Sequence, residues 1–143
     1  PTDLLVSNFE LKPLFKYQEN IKIIKDAMYS SSNEPGGTSY RSRLEDKRFT
    51  FAGKTGSSQI RKFTEEQREA EVKQEQLKYE NRDHALFIAF APVSDPKYAI
   101  SVVVEHGGTG SSAAAPIAKK VIKKVLERHS LRQSMNNLLG DSI

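Results

Sequence analysis

Apolar and polar residues recur with two different periods along this 143-residue chain, and the places where the period changes divide it into elements. From Tyr17 to Tyr29, Ile21, Ile24 and Met28 stand at helical spacing with Ile23 and Ala27 beside them, which predicts an amphipathic helix. The run Ser30-Ser31-Ser32-Asn33-Glu34-Pro35-Gly36-Gly37 is expected to end it, because proline continues a helix poorly and paired glycines favour a turn. Between Arg48 and Gln59, Phe49 and Phe51 followed by small residues predict an extended, half-buried strand. Two near-continuous β-branched and aromatic runs, 84–91 and 98–105, flank Pro92-Val93-Ser94-Asp95-Pro96-Lys97 and predict an antiparallel hairpin buried on both faces. A stripe of Ile117, Val121 and Val125 with Ala118, Ile122 and Leu126 predicts a helix starting near Ser111 or Ser112, with Pro116 tolerated in its first turn. Leu131, Met135, Leu138 and Leu139 give the tail, 131–143, a short helical pattern of its own, and residues 1–15 read as an irregular lead-in.

The stretch 61–83 breaks this alternation. It is dominated by charged residues and glutamine, with Phe63, Ala70, Val72, Leu77 and Tyr79 as isolated apolar or aromatic points. Thr64 and Gln67 fit a capping box and Glu69 with Lys73 a favourable i,i+4 pair, so a solvated helix or a mobile loop is expected. An exposed hairpin insertion is the plain reading and a partner-binding arm the alternative. With 37% hydrophobic and 28% charged residues, the whole chain, 1–143, is bounded to one domain at most. No hydrophobic run is long enough to span a bilayer and no start resembles a signal, so a soluble piece is expected. The absence of cysteine excludes disulfides and thiolate chemistry and is compatible with an oxidising compartment. The net charge of +4 arises from 22 basic and 18 acidic residues mixed along the chain. Lys119, Lys120, Lys123, Lys124 and Arg128 read as the solvated back of a helix, and no nucleic-acid partner is expected.

The candidate chemistry sits on the first predicted strand, at Lys54-Thr55-Gly56-Ser57. A glycine at a strand edge lets a ligand approach the backbone, and Lys54, Thr55 and Ser57 add one positive charge and two hydroxyls, a set suited to a carboxylate. A phosphate-binding loop does not fit, because Arg48 stands where its first glycine belongs and two phenylalanines fall inside it. Gly108-Thr109-Gly110-Ser111-Ser112-Ala113 satisfies a dinucleotide pattern, yet no second strand follows, and Glu127 about 20 residues on lies within the helical stripe. A tight glycine turn before a capped helix is the better reading. His84, His106 and His129 stand far apart without the spacing of a zinc helix, so no metal and no cofactor are expected. His84 and His106, flanking the hairpin, read as hydrogen-bonded structural residues.

Taken in order, Ala27-Met28-Tyr29, Asn33-Glu34-Pro35-Gly36-Gly37-Thr38, the Ala-Gly-Lys-Thr-Gly-Ser strand, Arg82-Asp83-His84-Ala85-Leu86-Phe87, Phe90-Ala91-Pro92, Glu105-His106-Gly107-Gly108 and Ala113-Ala114-Ala115-Pro116 form a specific series. Over roughly residues 17–130 it resembles the C-terminal end of the transpeptidase domain of class B penicillin-binding proteins, most closely the elongation type known as penicillin-binding protein 2. The resemblance implies an α+β, β-lactamase-like fold, here partial, with about three antiparallel strands and flanking helices. It also implies serine acyl transfer on the D-Ala-D-Ala end of a peptidoglycan stem peptide, with β-lactams as inhibitors, at the periplasmic face of a bacterial inner membrane. Lys54 would then tune the site and bond its other motifs, with Thr55 and Gly56 completing the substrate-binding motif. Ser57 would contact the substrate carboxylate by its hydroxyl and supply an oxyanion-hole donor through its backbone N–H. Many relatives carry threonine at that position, and serine keeps the hydroxyl.

The nucleophile of that chemistry is not among these residues. The family's Ser-x-x-Lys opens a helix, whereas the one match here, Ser94-Asp95-Pro96-Lys97, falls in a predicted turn. Ser31-Ser32-Asn33 and Ser134-Met135-Asn136 match the family's Ser-x-Asn in form but not in place. A C-terminal segment inactive on its own, anchored to the membrane elsewhere in its parent and prone to self-association along 98–105 or 131–139, is therefore expected. The alternative is a non-enzymatic interaction module using 61–83 or the basic helix.

Overall fold

The computed structural model describes residues 16–60, 62, 65 and 73–140, the side chains of 138–140 excepted. The first predicted helix is α1, Gln18–Asn33, one turn longer than its apolar pattern. Serine and asparagine usually compete with helical backbone for hydrogen bonds. Here Asn33 does donate to the Tyr29 carbonyl at 3.1 Å within the helix, but both Ser32 and Asn33 also bond outside it. Ser32 Oγ accepts from the Gly53 N–H at 3.0 Å and donates to the Gly53 carbonyl at 3.2 Å, while Asn33 Nδ2 donates to the Phe51 carbonyl at 2.8 Å. The C-terminal turn of α1 is thereby pinned to the strand it precedes, and the helix stops where Glu34-Pro35 begins.

Ahead of that strand, Asp46 caps the short turn Lys47–Phe49 by accepting from the Arg48 N–H. The Arg48 side chain, and then that backbone bond, hold the Asp46 carboxyl below the usual carboxylate range. The strands are β1, Ala52–Ser58, β2, His84–Ala91, and β3, Tyr98–Val104, in one antiparallel sheet of order β1-β2-β3. Lys54 lies opposite Ile88, Thr55 opposite Phe87 and Ser58 opposite His84.

Burial on both faces, expected of the hairpin, does not occur among the described residues. Ala85, Phe87, Ala89 and Ala91 are buried with Ala118, Ile122 and Leu126 of the final helix, while Ile88 and Val103 on the opposite face are 52% and 59% exposed. A continuous apolar run cannot reveal whether each face is covered. What decides it is that the small alanines alternate on one face of β2, letting a helix approach that side closely. Phe51 and Phe87 are fully buried and meet edge to face at 6.1 Å between ring centroids.

A π-helical turn at Gly110–Ala114 leads into α2, Ala115–Gly140. Thr109 caps the turn, its Oγ1 accepting from the Ser112 N–H at 3.3 Å, and Pro116 falls in the first turn of α2 as expected. As far as Gly140 the tail is not a separate helix; with no proline or glycine between Pro116 and Gly140, α2 runs on to that residue, exposing Leu131 and Met135.

Of the insertion, residues 73–83 form two 3-10 turns, Gln74–Gln76 and Tyr79–Asn81, while most of the stretch that carries the helical pattern lies outside the described residues. Arg82 Nε donates to the Leu77 carbonyl at 3.2 Å and Gln74 pairs with Asp83, so this part is tied down. Thr64, Gln67 and Glu69, and with them the predicted cap and ion pair, lie outside the described residues, as do 1–15.

Candidate active site

β1 borders the sheet, which leaves the outer side of Lys54-Thr55-Gly56-Ser57 without a neighbouring strand among the described residues. Lys54 and Ser57 are exposed, Thr55 and Gly56 half-buried. The Lys54 ammonium folds back on its own strand, donating to the Thr55 carbonyl at 2.9 Å and to Thr55 Oγ1 at 3.4 Å. Thr55 Oγ1 donates in turn to Thr38 Oγ1 at 3.2 Å. The structure thus brings the predicted motif residues together with Thr38, which the sequence placed only in a connector.

Two glycines let other elements press on this strand. Gly53 lies under the Phe87 ring, and a Cβ there would come within 2.8 Å of the Ile88 carbonyl oxygen. Gly110, at the start of the turn before α2, packs onto the backbone of Gly56; a Cβ at residue 110 would come within 2.7 Å of the Gly56 carbonyl oxygen. That explains the Gly-x-Gly pattern without a nucleotide: the second glycine makes room for the motif strand.

Beside the motif, a cleft of about 730 Å³ opens between the loop 37–42 and the start of α2. Thr38, Arg41, Ser111, Ser112, Lys119 and Lys120 line it, and no carboxylate does. Cations and hydroxyls arranged in this way suit an anionic group such as a carboxylate. Part of what was read as the solvated back of α2 therefore faces this cleft.

The remaining sequence candidates have structural positions. Ser94 to Lys97 form the hairpin loop, where Lys97 pairs with Asp95 at 2.8 Å. Ser32 and Asn33 are occupied with the backbone of β1, and Ser134 and Asn136 lie on the exposed end of α2. His84 Nδ1 accepts from the His106 N–H at 3.0 Å, the structural role expected of the pair. Among the described residues no three His, Asp or Glu side chains come together as metal ligands, and no helix is long and apolar enough to cross a membrane.

Comparison with known proteins adds to this geometry. A family model described as the penicillin binding protein transpeptidase domain matches residues 15–123. The chain is 38% identical over 104 residues to the peptidoglycan D,D-transpeptidase MrdA of Haemophilus influenzae, covering 73% of this chain and 15% of that protein. With MrdA of Escherichia coli K12 the identity is 29% over 122 residues, covering 85% and 18%. Among solved structures, PBP2 of Helicobacter pylori in its complex with MreC superimposes with a TM-score of 0.65 at 32% identity, over 81% of this chain and 19% of that one. PBP2 of Pseudomonas aeruginosa in complex with WCK 5153 gives a TM-score of 0.55 at 29% identity, over 76% and 19%. The chain thus spans less than a fifth of the length of these relatives.

Proposed function

The chain belongs to the penicillin-binding protein transpeptidase family, and from that premise we propose that it supplies the Lys-Thr-Gly half of a peptidoglycan D,D-transpeptidase site. The acylating serine would stand in another part of a longer, membrane-anchored protein at the periplasmic face of the inner membrane. The observation that carries this reading is the position of Lys54 to Ser57 on an open strand edge beside a cleft lined by cations and hydroxyls. In the proposed reaction the serine oxygen attacks the carbonyl of the penultimate D-Ala, the terminal D-Ala leaves, and an amine of a neighbouring strand takes the acyl group. Lys54 supplies positive charge and the Ser57 hydroxyl holds the terminal carboxylate. The Ser57 backbone N–H donates to the oxyanion as it forms. A β-lactam would occupy the same contacts. A protein partner for the longer molecule, as the Helicobacter pylori protein has in MreC, belongs to the same reading.

These 143 residues by themselves are proposed to form no acyl-enzyme and to self-associate through the edge of β3 that has no neighbouring strand among the described residues. In a transpeptidase that contains this sequence, Lys54→Ala is expected to slow acylation by labelled penicillin roughly 100-fold, and Ser57→Ala less, because its backbone donor remains. An unchanged rate in Lys54→Ala would remove Lys54 from the site. A stoichiometric, hydroxylamine-sensitive penicillin adduct on the 143-residue chain, seen by mass spectrometry, would show that it carries a nucleophile after all.

A further inference from the structure

A line of hydroxyls connects the motif lysine to the end of α1. Lys54 Nζ, bonded to the Thr55 carbonyl at 2.9 Å, also reaches Thr55 Oγ1 at 3.4 Å, Thr55 Oγ1 donates to Thr38 Oγ1 at 3.2 Å, and Thr38 Oγ1 lies 3.1 Å from Ser31 Oγ. A hydroxyl has one proton and two lone pairs, whereas an ammonium can only donate. With its proton committed to Thr38, Thr55 presents lone pairs to Lys54. If the acceptor at residue 38 were lost, the Thr55 side chain could turn about χ1 and bring its hydroxyl proton toward the ammonium, opposing it. Thr38 is itself held in place: the Gly37 N–H donates to the Glu34 carbonyl at 3.0 Å, and the Ser39 N–H to the Ser31 carbonyl at 3.0 Å. Thr38 also lines both the cationic cleft and a smaller hollow of about 340 Å³ that it shares with Lys54.

We propose that Thr38 is a positioning residue of the site: by accepting the Thr55 hydroxyl proton it fixes the direction of the line and sets where the Lys54 ammonium stands. This rests on the transpeptidase reading for its consequence, though not for its geometry. The group lies at the surface, so water competes with the bond and the effect is moderate.

The test has two arms. In the 143-residue chain, NMR side-chain couplings should report one fixed χ1 rotamer for Thr55, lost in Thr38→Val and in Thr38→Ala and restored in Thr38→Ser. An averaged rotamer in the unsubstituted chain, or one indifferent to residue 38, overturns the proposal whatever the protein's activity. In a transpeptidase containing this sequence, Thr38→Val should slow penicillin acylation by about three- to tenfold, the scale of one hydrogen bond, with Thr38→Ser close to the unsubstituted rate. Added to Lys54→Ala, Thr38→Val should have no further effect, since it acts through that lysine. If Lys54→Ala slows acylation while Thr38→Val does not, the positioning role fails and the site stands. If Lys54→Ala has no effect, the site assignment fails and the rotamer arm alone decides on Thr38.

Discussion

Asp83 is a charged residue placed where water barely reaches it, with only 5% of its surface exposed. Its Oδ2 accepts from Gln74 Nε2 at 2.8 Å, and its backbone N–H donates to Gln74 Oε1 at 2.9 Å, so one amide side chain answers both groups. Its carbonyl accepts from the Gly108 N–H at 2.8 Å, while Oδ1 finds no hydrogen-bond partner among the described residues. Asp83 precedes β2 and Gly108 follows β3, so this knot closes the open end of the hairpin. A carboxylate already missing one partner tolerates the loss of another badly. Gln74→Ala is therefore expected to destabilise the chain by about 1–3 kcal/mol in urea unfolding, with faster amide exchange at residues 83 and 108. A change below about 0.5 kcal/mol would mean that water satisfies Asp83 instead. Nothing in the glutamine-rich composition of 61–83 marks residue 74 out. Its role depends on a fold that brings it to a residue nine positions away, which no local pattern encodes.

Single elements show which information the chain carries openly. The hairpin strands lie within a residue of the apolar runs that predict them, because β-branched and aromatic residues are bounded by Pro92 and Pro96 on one side and by Asn81-Arg82-Asp83 and Gly107-Gly108 on the other. The motif Lys54 to Ser57 is legible because its residue types and order are themselves the signal. Polar partnership across the chain is not legible. Ser30 to Asn33 read as the end of α1, yet Ser32 reaches 21 residues forward to Gly53 and shares a 3.0 Å contact with Ser39. Thr38, Gly110 and Gln74 escaped for the same reason: periodicity reports which face of an element is apolar, not which distant backbone it meets. Ser32 is also where the attachment of α1 to the motif strand can be measured. Ser32→Ala strands the buried Gly53 N–H, and a loss of about 1–3 kcal/mol in thermal or urea unfolding is expected. Ser134→Ala removes only a bond to the carbonyl of Ser130 within α2 and should stay within about 0.5 kcal/mol. Equal effects of the two would show that α1 is held by something other than this serine.

At the scale of the whole molecule, the edge of β3 that has no neighbouring strand among the described residues is expected to set how the isolated chain behaves. The strand reads Tyr98-Ala99-Ile100-Ser101-Val102-Val103-Val104, with no proline and no charge inside it, so it lacks the devices that normally discourage edge pairing. Next to it an apolar hollow of about 140 Å³ lies between the strand and α2, lined by Ile100, Val121, Ile122, Val125 and Leu126. Further along α2, Leu131 is 65% exposed. Backbone groups without partners and apolar surface in one place favour an isologous contact, in which β3 of one copy pairs antiparallel with β3 of another about a two-fold axis. The result would be a continuous sheet of six strands, three from each copy. Light scattering should then report a dimer whose fraction rises with concentration, and the amides of 98–104 should exchange more slowly as it forms. Val103→Lys sets a charge within the edge strand of each copy and should return the chain to a monomer without unfolding it. A monomer at high concentration, with fast exchange along 98–104, would overturn the pairing. A dimer that persists in Val103→Lys and is lost in Leu131→Glu would place the contact on the far end of α2 instead. In a longer protein that covers this edge with its own chain, the same lysine substitution would act on folding, not on association, so the two contexts give opposite readouts from one variant.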